Sequence, residues 1–255
     1  MTTNNLTAED AELIALTLQD ETTKKELQTQ ILSYMSEDNR EDNRKHIEKE
    51  IKMIQKLYVD LPESTFNKKQ NVKKKAWVQN YNKELDKIYF NKLKDVLGEY
   101  KMDTLKSENG EDYYGLFHES FSPLTLHADS GFNEEAVIFK QVVTPLSSFG
   151  DTIVFKNRWY GRSTSFTINE EELKFKPKPG QNDRSRDHLG SKEFDKKIHE
   201  KYLAHIDINN LKGLEIELIY KWKVGESLIM DRSHIHSSSS NIKEKKLGLT
   251  TFTKK

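Results

Sequence analysis

The chain has 255 residues with 41 acidic and 41 basic side chains, so its net charge gives no electrostatic case for nucleic-acid or membrane-surface binding. Apolar residues make up 35% and charged residues 32%, which leaves a core of moderate size and much solvated helix or loop. Cysteine is absent, which excludes disulfides and thiolate metal sites and fits a cytoplasmic protein. The opening MTTNNLTAEDAE is polar and acidic, unlike a signal peptide. No apolar run approaches the ~20 residues of a membrane helix.

Residues 1–105 read as a helical N-terminal region. Thr7 and Asp10 have the spacing of a capping box. The tandem EDNREDNR at residues 37–44 reads as a solvated helix start or linker. Ile47, Ile51, Ile54 and Tyr58 fall on one helical face. NKKQNVKKK at residues 67–75 has no interleaved aromatics, so a solvated helix start is preferred over a nucleic-acid patch. Trp77, Tyr81, Leu85 and Ile88 repeat the helical spacing, and Gly98 is the expected stop. These helices are expected to pack on or beside the core and could supply a homo-oligomer surface.

Residues 106–255 change to strand grammar. YYGLFHESF, LTLHADSGF, AVIFKQVVTPL, DTIVFKNRWY, LEIELIYKW, SLIMD, SHIHSS and LGLTTFT are short, rich in β-branched and aromatic residues, and bounded by Gly, Pro, Ser or Asn. Eight such segments predict an α+β protein with a jelly-roll or small-barrel core. Residues 169–212 interrupt them with a loop and a predicted helix, EFDKKIHEKYLAHI, as a lid or binding insertion would.

The chain has no HExxH, no GxSxG elbow, no Walker loop and no GxGxxG. It does have two His-x-Asp triplets, His127-Ala128-Asp129 and His205-Ile206-Asp207. On a strand, residues i and i+2 share a face, so such a triplet can offer two ligands to one metal. Two histidines and a carboxylate form the facial triad of non-haem iron oxygenases. His205 and Asp207 end a predicted helix before the turn NNLKG, and a surface or interface role suits them better. His127 and Asp129 lie in a strand-like run, far enough before DRSHIHSSSSN for a late strand to return beside them.

Through LHADSGF and WKVGESLIMDRSHIHSSSSNIKEKKLGLTTFTKK, residues 112–255 resemble the Fe(II)/2-oxoglutarate-dependent dioxygenase superfamily, in its phytanoyl and prolyl-hydroxylase-like form and an uncharacterised phage and bacterial group. The resemblance implies a double-stranded β-helix and three iron ligands, His127, Asp129 and His236. It also implies a basic residue about ten positions after the last histidine, to hold the far carboxylate of 2-oxoglutarate. Lys246 stands ten after His236. His234 and Lys245 are the respective rivals. Thr152 could bind the same carboxylate or be an ordinary strand threonine. Ser238 and its neighbours would leave room for co-substrate and oxygen, or form a simple loop.

Arg232 is expected to be structural, paired with Asp231 or a helix carboxylate. Arg158, Trp159, Tyr160 and Arg162 could line a substrate mouth, although a Trp in such a run is more often core. The implied activity is hydroxylation of an unidentified organic or protein substrate, with release of succinate and CO2 and with ascorbate as an accessory reductant. The alternative is a non-catalytic jelly-roll or cupin-like metal- or ligand-binding protein, for which a basic residue ten after the histidine has no purpose.

Overall fold

The computed structural model describes residues 40–61, 66–67, 71–106, 110–129, 138–160, 164–166, 190–242 and 245–255. The expected capping box at Thr7, the first part of the EDNR repeat and Arg162 lie outside them. Among the described residues of the N-terminal part, the helices are α1 (Arg40–Asp60) and α2 (Lys83–Leu97), with two strands between them. The strands are β1 (Phe66–Asn67), β2 (Val72–Val78), β3 (Lys101–Met102), β4 (Leu105–Lys106), β5 (Asp112–Ser120), β6 (His127–Ala128), β7 (Ile138–Pro145), β8 (Asp151–Arg158), β9 (Thr164–Ser165), β10 (Ile216–Lys221), β11 (Leu228–Asp231), β12 (His234–Ser238) and β13 (Lys246–Lys254). Between β9 and β10 come a helical turn, Lys196–Ile198, a π-helical turn, His199–Leu203, and a 3₁₀ turn, Ile208–Leu211.

The strands form two antiparallel sheets. The first runs β1-β2-β5-β13-β7-β11, with β3 on β13 and β4 on β5; the second runs β10-β8-β12-β6-β9. Alternation along each strand sorts the side chains into layers. Outward from the first sheet, Trp77, Phe117, Val142 and Leu249 pack under Ile54 and Leu57 of α1 and Leu85, Tyr89 and Leu93 of α2. Between the sheets, Val143 and Met230 meet Val154 and Tyr220. Outward from the second sheet, Ile153, Phe155 and Ile235 pack against Ile198, Tyr202, Leu203 and Leu211 of the insertion. Among the described residues, no helix is long and apolar enough to cross a membrane.

One expected helix is corrected. Trp77 belongs to strand β2, and α2 begins only at Lys83, with Asn82 capping it by accepting from Leu85 N at 3.1 Å. The basic run read as a helix start is a strand because VKKKAWV is two-sided. Lys75 reaches back to the carbonyls of Tyr58 and Leu61 at 2.8 and 3.0 Å and closes the end of α1. Trp77 is fully buried; it stacks on Phe90 and meets Tyr89 and Tyr114 edge-on. Five lysines in nine residues hid this alternation, and the four-residue step from Trp77 to Tyr81 imitated a helix. The Gly98 stop is observed, its N–H bonding Lys94 O at 2.9 Å.

Trp77 also donates its indole N–H to the buried Asp86 carboxylate at 3.1 Å. Trp77→Ala therefore opens a cavity and strands Asp86, and it is expected to cost about 3–5 kcal/mol by urea unfolding.

Candidate metal centre and lysine slot

The site begins with a backbone register. β12 lies between β8 and β6, and His236 pairs directly with His127 on one side and Val154 on the other. On β12, Ile235 packs outward, so His234 and His236 point between the sheets. The imidazoles of His127 and His236 sit 4.1 Å apart, centroid to centroid. Asp129 follows at the end of β6. Its Oδ2 is 3.4 Å from His236 Nε2 and 3.9 Å from His127 Nε2. Among the described residues these three make the metal-competent group. His127 and Asp129 side chains are 23% and 30% exposed and His236 7%, so the centre opens to solvent on the β6 side.

Both rings are locked in the same tautomer. His127 donates Nδ1–H to Thr125 O at 2.6 Å, and His236 donates Nδ1–H to His234 O at 3.0 Å. Each Nε2 lone pair is thereby turned toward Asp129, as second-sphere bonding does for metal-bound histidines. Burial pushes His127 down to about 4, and the neighbouring His236 adds to the shift. For Asp129, burial would push the carboxyl up, but the facing imidazoles, His236 first and then His127, outweigh it and hold the group below the carboxylate range. Near neutral pH the set thus offers a carboxylate and an unprotonated His127, the forms a divalent ion binds. Imidazole and carboxylate donors on one side suit Fe(II) or a similar ion.

Backbone anchors hold the triad. Arg232 is 2% exposed and donates to Asp129 O at 3.0 Å, to Asp103 at 2.5 Å and to Thr253 O at 3.3 Å. It is structural as expected, but its partner is Asp103; Asp231 pairs with Lys140. The serines have a related task. Ser238 Oγ accepts from Leu124 N at 2.6 Å, and Ser237 Oγ donates to Leu124 O at 2.9 Å. The loop just before His127 is thus stapled to β12. Ser239 is fully buried and continues the connection through Asp151 O.

The rival residues have other partners. His234 sits in an ionic cluster: Arg158 Nη1 lies 2.7 Å from its Nδ1, and Glu217 Oε2 lies 3.3 Å away. Burial, then Arg158, pushes it down to about 4. Arg158 also bonds Glu217 and two backbone carbonyls, so it knits strands together. Lys245 is exposed beside Glu119. Asp207 starts the 3₁₀ turn by accepting from Asn209 N, and the part-buried His205 points its Nε2 at Leu124 O at 3.2 Å. Trp159 packs edge-on against Phe166, whereas Tyr160 is 82% exposed.

Lys246 opens β13 and is buried between the sheets. Its Nζ lies 3.8 Å from the Trp222 ring centre and donates to Asp151 O at 3.1 Å. Thr152 faces the same space and accepts the Trp222 indole N–H at 2.9 Å, so it aims the ring on which the lysine rests. Gly248 is required for that arrangement: a Cβ there would stand 2.6 Å from Trp222 Cη2. Burial pushes Lys246 down to about 7, with Asp151 partly opposing the shift.

Three nearby residues were not singled out in the sequence. Gln141 of β7 is fully buried, its Nε2 is 3.3 Å from His236 Nε2, and its Oε1 has no partner. Its one signal was a polar residue inside the apolar run AVIFKQVVTP. His118 of β5 has a buried Nε2 with no partner, and burial and Lys74 push it down to about 3. Lys74 of β2 faces the same side as His118, with which it is paired. Both were hidden in charged or aromatic strand runs.

His236→Ala is expected to weaken Mn(II) binding at least about tenfold by calorimetry. His234→Ala is expected to leave Mn(II) binding intact and instead to lower the melting temperature, because Arg158 and Glu217 lose a buried partner.

No protein-family model and no curated protein matches the chain. Among solved structures it is similar to an oxidoreductase of the 2OG-Fe(II) oxygenase family from Burkholderia pseudomallei, with 12% identity, a TM-score of 0.40, and coverage of 80% of this chain and 77% of that one. A likeness at this level carries no weight for fold or chemistry.

Proposed function

We propose that this protein is an Fe(II)- and 2-oxoglutarate-dependent dioxygenase that hydroxylates an organic or protein substrate. The observation that carries the reading is the paired register of His127 and His236, each Nε2 turned toward Asp129. The strand orders β5-β13-β7-β11 and β10-β8-β12-β6 support a double-stranded β-helix core.

In this reading His127, Asp129 and His236 hold Fe(II), and the ion supplies oxygen activation coupled to conversion of 2-oxoglutarate to succinate and CO2. The chain's own residues bind and orient. Lys246 receives the distal carboxylate as a point charge, supported by the face of Trp222. Gln141 offers a carboxamide beside the ligand atom of His236, where its unpartnered Oε1 can accept from a group entering the site. Arg232 and the serines keep Asp129 and the loop before His127 in place. Ser238 acts through Leu124, and Thr152 acts through Trp222. Asp129 keeps the carboxylate that a halide-binding variant of such a centre would lack.

Purified protein supplied with Fe(II), 2-oxoglutarate, ascorbate and oxygen is expected to form succinate slowly without added substrate, and His236→Ala is expected to form none. Equal, background succinate from both proteins, together with no binding of 2-oxoglutarate, would sink the reading. A pH dependence follows from Lys246. Above about 7 the free amine is largely neutral, and an incoming carboxylate restores its proton. Binding then takes up a proton, so 2-oxoglutarate affinity is expected to fall as pH rises above about 7, and Lys246→Met is expected to be weak and to lose that slope.

A further inference from the structure

The first sheet carries a second cationic position on its inner face, part-buried. On β2, Lys73 reaches toward Glu119 and Lys75 toward the end of α1, so Lys74 points to the opposite, inner face. On β5, Phe117 packs on Tyr58 and Glu119 bonds Tyr58, so His118 between them also points inward. The two inward residues are direct cross-strand partners. Side chains so paired stand close enough to grip one group.

Neither has the partner its burial calls for. His118 Nε2 is sealed from solvent without a hydrogen bond. Burial lowers the Lys74 amine, and among the described residues no carboxylate forms an ion pair with it. The opposing charge that reaches it is Asp129. A metal ion on the triad would claim that carboxylate and leave Lys74 uncompensated. An unpaired buried ammonium is costly, and so is an orphaned buried nitrogen. Lys246 does not relieve it, because it is another cation and itself presses on His118. One distal carboxylate of 2-oxoglutarate can neutralise one of these lysines, and Lys246 has the prepared slot. β2 also lies beyond β5, outside the strands that frame the triad, so Lys74 extends the inner wall away from Lys246.

We propose that Lys74 and His118 form a second oxyanion subsite, which takes a carboxylate or phosphate group of the substrate being oxidised. The substrate is therefore an anion, seated with its charged group on β2 and β5 and the rest directed toward the triad. This rests on the dioxygenase reading above, since that reading assigns Lys246 to the co-substrate.

The test uses the full chain with Mn(II) in place of Fe(II), which prevents turnover, and inorganic phosphate as the probe. Calorimetry first measures 2-oxoglutarate binding to the Mn(II) protein, then phosphate binding to the protein saturated with both. Lys74→Met and His118→Leu are expected to weaken phosphate about tenfold or more, Lys74→Arg to retain it, and all three to hold 2-oxoglutarate within about twofold. Lys74→Met is also expected to raise the melting temperature of the Mn(II)-loaded protein, where the metal claims Asp129 and the part-buried lysine is left without an opposing charge. The proposal is overturned by phosphate binding that is absent in the wild type or unchanged in Lys74→Met. It is equally overturned if Lys74→Met costs 2-oxoglutarate affinity, since the lysine would then serve the co-substrate. Failure of the wild type to bind 2-oxoglutarate at all would instead remove the dioxygenase reading beneath it.

Discussion

The site depends on one backbone pairing, His236 of β12 opposite His127 of β6. That register sets the two imidazoles side by side, and carbonyl bonds from the strands themselves fix their tautomers. A slip of one residue would turn Ile235 inward and His236 into the apolar layer under the insertion, where an imidazole has no partner. The surrounding sequence guards against this. Ile235 is anchored among Phe155, Leu203 and Leu211, and Ser237 and Ser238 lock Leu124, three residues before His127. Arg232 then pins Asp129 by its carbonyl, so the carboxylate stays free to bind. Order in the outer layers thus becomes geometry at the centre.

The interior between the sheets has an unusual charge balance for a packed core. It contains the triad, Lys246, Lys74, His118 and Gln141, with unpartnered atoms on the last two. Buried polar atoms are normally satisfied, because each orphan costs free energy. Two of the unpartnered atoms, Gln141 Oε1 and His118 Nε2, lie on the inner face of the first sheet, whereas the outer layers are mainly apolar. Stability given up locally in this way marks a place that binds something. Trp222 shows how the cost is limited: its face supports the Lys246 charge, and its indole N–H is satisfied by Thr152.

Much of this was legible in the sequence. Each of the eight strand-like segments after residue 112 contains a strand, because hydrophobic alternation and Gly, Pro or Ser boundaries are local signals. The His-x-Asp spacing brought His127 and Asp129 forward, the family resemblance added His236, and the structure gathers the three. Less visible was anything whose meaning depends on a partner strand. VKKKAWV looked like a solvated helix start because lysine stems hide a two-sided strand; only its place beside β5 shows which lysine faces inward. Gln141 and His118 are marked by buried polar atoms without partners, which no local pattern encodes. His234 shows the same limit from the other side: its parity matched His236, but Arg158 and Glu217 had already claimed it.

The central claim is that the three ligand atoms and the inner-face lysine together hold iron and 2-oxoglutarate. The most direct measurement is the visible absorption spectrum of the protein under anaerobic conditions as Fe(II) and then 2-oxoglutarate are added. A charge-transfer band that appears only with both, and is lost in His236→Ala, is the predicted result. Bound Fe(II) with no band at saturating 2-oxoglutarate would contradict the account and leave a metal-binding protein without this co-substrate.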